Sequence, residues 1–130
     1  MPSCYVCGAP ATTRDHIPPR GCFLNPRPTN TITVPSCAAH NNSRAADDEY
    51  FRTLIAMACA DDPRAEQLFD GPVTRQLQRN ARQVREFLMR SSPSTPITTP
   101  NGIIIGNRPT FQIDPDRFQN VVESIVKGIY

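Results

Sequence analysis

The sequence has no tryptophan, and aromatic residues make up only 7% of its 130 positions. That excludes a core built on many large rings, the side chains that bury the most area each. It holds one lysine, Lys127, among 14 cationic residues. Any basic surface is therefore an arginine surface, suited to bidentate contact with phosphate or carboxylate. No apolar run approaches the roughly 18 residues of a membrane span, and nothing resembles a secretory signal. Histidine is scarce, with His16 and His40 the only two, and the five cysteines are odd in number. A cytoplasmic location is expected, where a Cys-x-x-Cys pair more often binds metal than forms disulfides.

Proline, in contrast, is abundant, with 14 residues. A single domain of this length buries roughly two-thirds of its unfolded surface when compact. Many turns and few aromatics imply a thinner core that a metal staple would reinforce. The net charge of +2 is also unevenly spread: residues 1–46 carry +3, residues 47–71 carry −5, residues 72–92 carry +4, and the remainder balances. Two basic blocks flank an acidic one.

The first forty residues lack helical periodicity and are broken by Gly8, Gly21 and six prolines after Pro2, as a loop-rich, metal-tied segment would be. Two extended pieces are expected, one near residues 11–17 and one at Thr31-Ile32-Thr33-Val34, with Pro35-Ser36 as a turn. A helix follows from about Ala38, with Tyr50, Phe51, Leu54, Ile55 and Ala58 at helical intervals. Asp62-Pro63 reads as a helix start and Gly71 as its end. Pro72 opens a longer helix with Val73, Leu77, Ala81, Val84 and Leu88 on one face and Arg75, Arg79, Arg82 and Glu86 on the other. Ser91 to Pro96 reads as a break. Asn101-Gly102 and Gly106-Asn107 signal turns around Ile103-Ile104-Ile105 in a small hairpin. Asp114-Pro115 starts a last helix bearing Phe118, Val121, Val122, Ile125 and Val126 on one side. That helix needs a surface to cover, either the first domain or another copy or protein. The fold class expected is α+β, in three parts: a core at 1–60, a helical extension at 61–92, and a Pro-rich linker, hairpin and amphipathic helix at 93–130.

The stretch that organises the chain runs from Cys4 to Asn42. Cys4-x-x-Cys7 opens it and Cys37-x-x-His40 closes it, each a tight turn that aims two soft donors at one ion. Together they make a Cys₃His set, a closed tetrahedral geometry for structural zinc, with Cys22 as the rival fourth ligand. The 29 residues between the pairs are too many for a simple zinc finger. They carry Asp15-His16, a carboxylate beside an imidazole. With Asn41 these suit phosphodiester hydrolysis, which needs a base near the attacking water and a cation on the oxygens that gain charge. Few hard oxygen donors favour magnesium or manganese.

The pattern Cys4-x-x-Cys7, Asp15-His16-Ile17-x-Pro19, Asn30 before a strand, and Cys37-x-x-His40-Asn41 resembles the HNH endonucleases. The resemblance spans residues 4–52. It implies a zinc-stapled ββα-metal core acting on DNA, with His16 as general base and Asp15 and Asn41 as ligands of the catalytic magnesium or manganese. It also implies that Asn30 orients the loop of His16. The family usually has cysteine where this chain has His40, so either His40 replaces it on zinc or serves the catalytic metal. Arg14, Arg20, Arg44, Arg75, Arg79 and Arg82 are the expected phosphate contacts. The other reading is a catalytically silent zinc-stabilised module that binds nucleic acid or assembles with protein.

Overall fold

The computed structural model describes residues 1–130. It is an α+β fold with two separate two-stranded antiparallel sheets. Strands β1 (Thr13–Ile17) and β2 (Ile32–Ser36) pair so that Asp15 faces Val34 and His16 faces Thr33. Pro35-Ser36, expected as a turn, completes β2 instead, and Ser36 is fully buried there. Proline is tolerated because both strands of such a pair are edges. Helices α1 (Ala38–Ser43) and α2 (Ala45–Ala58) follow, separated by a single non-helical residue, Arg44.

Asp62 caps α3 (Pro63–Leu68) by accepting the Arg64 amide at 2.8 Å, with Pro63 at the first helical position. Gly71-Pro72 does not end the helix. The chain crosses it in one wide turn, Phe69–Val73, and enters α4 (Thr74–Arg79). Proline lacks an amide and clashes with the carbonyl four residues back. The wide turn relieves this, and the Thr74 hydroxyl donates to the Phe69 carbonyl at 2.7 Å. The long helix expected next breaks at Asn80, whose side chain caps α5 (Ala81–Met89) by accepting the Gln83 amide. The break rotates the faces, so Gln76 and Gln83 are buried while Leu88 is 67% exposed.

Ser91–Thr98, expected as a break and linker, is strand β3. It pairs with β4 (Ile104–Phe111), with register irregularities around Pro93 and between Ile97 and Thr98, while Pro96 pairs with Asn107. Asn101-Gly102 makes the connecting turn, and Gly102 takes a φ of 82°, a left-handed backbone that glycine reaches without strain. Gly106-Asn107 lies inside β4 rather than at a turn. This hairpin stands in solvent, with Ile103, Ile104 and Ile105 exposed.

Helix α6 (Pro115–Ile129) packs on α2 and β1. Phe118 meets Phe51 at 5.4 Å between ring centroids. Gly128 lies so close to β1 that a Cβ there would fall 2.7 Å from Ile17 Cγ1. Arg117 stitches the same junction: it donates to Asp47 Oδ1 at 2.9 Å and to the Ala46 carbonyl at 2.9 Å, and lies 4.3 Å above the Tyr50 ring.

The core is thin. Only 18 residues are buried, and seven of them are polar or charged. Its polar centre is a network in which Gln76 Nε2 shares its two hydrogens among the Glu49 carbonyl, Thr53 Oγ1 and Gln83 Oε1, while Gln83 Nε2 is left without a partner. That network joins α2, α4 and α5 where apolar packing would ordinarily do so.

Candidate functional site

The two knuckles meet because each is set locally and the β1–β2 hairpin brings them together. At the first, the Cys4 amide donates to the Ala9 carbonyl at 2.7 Å and the Gly8 amide to the Cys4 carbonyl at 2.8 Å. Gly8 takes a φ of 74°, which closes the turn. The Tyr5 amide then donates to the Pro35 carbonyl at 3.0 Å, docking this knuckle on β2. At the second, Cys37 is the N-cap of α1, and His40 lies within that helix.

The sulfurs of Cys4, Cys7 and Cys37 and a ring nitrogen of His40 all lie within 4.8 Å of one another. His40 Nδ1 is 3.2 Å from Cys37 Sγ and 3.9 Å from Cys4 Sγ. Thiolates held at about 2.3 Å from one tetrahedral zinc are about 3.8 Å apart, so the cluster has the size and donor chemistry for structural zinc. Burial pushes the Cys4 thiol up, but backbone hydrogen bonds from Cys37, Cys7 and Val6 outweigh it and bring it down to about 6. A thiol so lowered is a ready metal ligand. Cys22 is elsewhere, in an apolar cleft with Leu24, Ile55 and Cys59. There burial raises its thiol to about 11.

Beside the cluster lies a cleft of about 400 Å³ walled by β1, α1 and α2. Asp15, His16, Asn41, Asp48, Arg20 and Arg52 all line it. His16 Nδ1 is 3.3 Å from Thr31 Oγ1, which leaves Nε2 uncommitted. Asn41 uses its amide nitrogen on Thr13 Oγ1 at 3.2 Å, which leaves its oxygen. Asp15 is buried and held from one side: the Tyr5 hydroxyl donates to its Oδ2 at 2.8 Å, and Arg44 Nη2 donates to the same oxygen. Burial first, and then the hydrogen bond to Asp15, push the Tyr5 hydroxyl up to about 12.

Comparison of the chain with family models, with curated proteins and with solved structures finds no match.

Several expected site residues behave differently from their sequence reading. Arg44 is no surface phosphate contact: it is 9% exposed and committed to Asp15 and Tyr5. Asn30 is exposed and its side chain makes no hydrogen bond, whereas its neighbour Thr31 contacts His16. Arg75 and Arg79 lie on α4 and Arg82 on α5, where Arg82 pairs with Glu86 at 3.2 Å. The break at Asn80 means they form no continuous face. Arg14 and Arg20 are exposed at the cleft. The cysteine cluster is the one group of three or more Cys, His, Asp or Glu donors close enough to share an ion.

Two cleft residues were not singled out by sequence. Arg52 spans from the cleft to Gln76 Oε1, and burial lowers its pKa. Asp48 lines the cleft with Oδ1 buried and unpartnered. Burial, with Asp15 and Asp47 adding repulsion and Arg44 offsetting part of it, raises its carboxyl to about 6. The signal for Asp48 was its spacing, seven residues beyond Asn41 and four beyond Arg44, which brings all three to one side of a nearly continuous helix.

Proposed function

We propose that this chain is a metal-dependent HNH-type endonuclease that hydrolyses DNA phosphodiester bonds, with a zinc-stapled ββα-metal core. The observation that carries the reading is the cleft in which His16, Asp15 and Asn41 come together beside the Cys₃His cluster. Strand, strand and helix follow in the order such a core requires.

Cys4, Cys7, Cys37 and His40 would hold the structural zinc. All four positions are then protein donors, leaving none for water or substrate, so this site staples rather than catalyses. Within the cleft, His16 Nε2 takes the proton of the attacking water while Thr31 fixes the ring. Asp15 and Asn41 offer one free oxygen each, hard donors that fit magnesium or manganese. When bound, such an ion neutralises charge building on the phosphate oxygens. Arg14, Arg20 and Arg52 at the cleft suit phosphate, binding the backbone without reading sequence. No helix is long and apolar enough to cross a membrane. Val126 and Ile129 remain exposed on α6 for a partner protein or second copy.

The test is nicking of supercoiled plasmid by the zinc-loaded protein with magnesium or manganese. Wild type is expected to nick and His16→Ala to lose at least a hundredfold in rate, the lower bound of about 10² for general-base catalysis. Undiminished nicking by His16→Ala removes His16 as the base. One observation favours a second reading, a silent zinc-stabilised nucleic-acid-binding or assembly module: Asp15 is committed to Arg44. That reading predicts retardation of DNA in a gel with no nicking by any divalent ion.

A further inference from the structure

Arg44 stands between two carboxylates and satisfies one. Its Nη2 donates to Asp15 Oδ2 and its Nη1 to the Tyr5 hydroxyl, while Nε is buried with no partner. One helical turn on, the Asp48 amide donates to the Arg44 carbonyl at 2.8 Å. The side chain of Asp48 has its own buried orphan, Oδ1. Buried groups of this kind rarely go unpaired, because each loses its water without replacement. Here the two orphans are complementary, an N–H donor on a cation and an oxygen on an anion. They also stand four residues apart, the spacing at which helical side chains are neighbours.

Asp15 and Asp48 both line the cleft. An ion entering beside Asp15 would meet the Arg44 guanidinium on the same carboxylate, two positive charges competing for one anion. The conflict ends if the guanidinium turns one helical step to the carboxylate that lacks a partner. We propose that Arg44 is a counter-ion used in turn by Asp15 and Asp48, passing to Asp48 when Asp15 engages a divalent cation. Asp48 is thereby a positioning residue of the cleft: it touches neither the ion nor the phosphate, and it sets whether Asp15 is free to do so. This rests on the reading that Asp15 faces a divalent ion, and it adds the residue that makes Asp15 available.

The experiment measures manganese binding to zinc-loaded protein by the paramagnetic resonance of free manganese, with zinc content confirming that each variant is folded. Asp48→Asn is expected to weaken binding about tenfold, within the usual range of coupling between sites. Arg44→Gln is expected to strengthen it by a similar factor. In the Arg44→Gln background, Asp48→Asn is expected to change nothing further. A loss that persists in that background makes Asp48 a direct ligand and overturns the exchange. No loss in Asp48→Asn alone also overturns it, while His16-dependent nicking leaves the nuclease reading standing. Absence of manganese binding by wild type refutes both.

Because Arg44→Gln removes the partner of a buried carboxylate, it can fail to fold. A second measurement avoids it: the nitrogen-15 resonance of Arg44 Nε is followed as magnesium is added to wild type and to Asp48→Asn. A shift in wild type that Asp48→Asn abolishes is the expected result. An equal shift in both, or none in a wild type that binds manganese, overturns the proposal.

Discussion

Replacing Asp48 by asparagine removes a charge where burial already opposes one. The carboxyl is raised from 3.8 to about 6, by desolvation first and then by the negative charges of Asp15 and Asp47, with Arg44 offsetting part of it. Because its folded pKa lies above its unfolded one, Asp48 contributes stability in its protonated form. That contribution is complete below about pH 4 and lost as pH rises through 6. Two pKa units correspond to about 3 kcal/mol at neutral pH. Asp48 is partly open to the cleft, and solvent screening reduces this to roughly 1–2 kcal/mol. Asparagine keeps the shape without the charge. Asp48→Asn is therefore expected to melt about 3–8 °C higher than wild type at pH 7.5 without magnesium or manganese. The gain should be about half as large at pH 5, between the two pKa values. Melting curves of zinc-loaded protein at both pH values check this. Equal gains at the two pH values, or none at pH 7.5, refute the argument that the cost is ionisation in a buried place. Such a cost matches the proposed role of Asp48, since residues of a working site are often held at the expense of stability.

The Cys₃His cluster predicts about one zinc per chain that survives mild chelation. Cys37→Ala is expected to lose the metal with its folding free energy, on the order of 10 kcal/mol, seen as an unfolded spectrum by circular dichroism. His40→Cys is expected to keep both zinc and fold, because a fourth thiolate fits the same tetrahedron. Gly128→Ala places a methyl group against Ile17. Overpacking of about 1–3 kcal/mol there exceeds the roughly 1 kcal/mol that alanine gains in a helix, so a net loss is expected in urea unfolding. In an Ile17→Ala background the same change should stabilise. For DNA, Arg20→Gln is expected to flatten the log-log dependence of affinity on salt by about 0.9, one phosphate contact, whereas Arg79→Gln outside the cleft leaves the slope unchanged. Fluorescence anisotropy on a duplex at four salt concentrations separates the two.

The outer cluster was legible because a two-residue spacing is a local instruction: a tight turn delivers both donors whatever surrounds it. The same holds for the caps at Asp62 and Asp114, each followed by proline, and for the strand that carries Asp15-His16 and the strand it pairs with. What was hidden depends on contacts between distant segments. Arg44 looks like a surface charge at the start of a helix until Asp15 and Tyr5, 29 and 39 residues away, close on it. Gln76 and Gln83 look solvated until Asn80 resets the helix and turns them inward. Composition misled at Ser91 to Pro96, because proline is barred from the middle of a sheet but not from a hairpin in which every strand is an edge. The choice between His40 and Cys22 was likewise tertiary: spacing favoured His40, but only the apolar wall around Cys22 takes it away from the cluster.

The position of β1 follows from both ends of the chain. At one end the Cys₃His cluster ties the loop before β1 to the start of α1. At the other, α6 lays Gly128 on Ile17, whose side chain is 1% exposed. Asp15 and His16 lie between these two clamps, on a strand of five residues with one partner. A two-stranded ribbon is marginal by itself, and so thin a core has little apolar packing to spare for it. The Cys₃His cluster at one side and a helix without a side chain at the contact point on the other are what hold the strand to the cleft. The C-terminal helix thus belongs to the site mechanically although none of its residues lines the cleft. Its loosening would release β1 at Ile17, the point where the helix touches the strand.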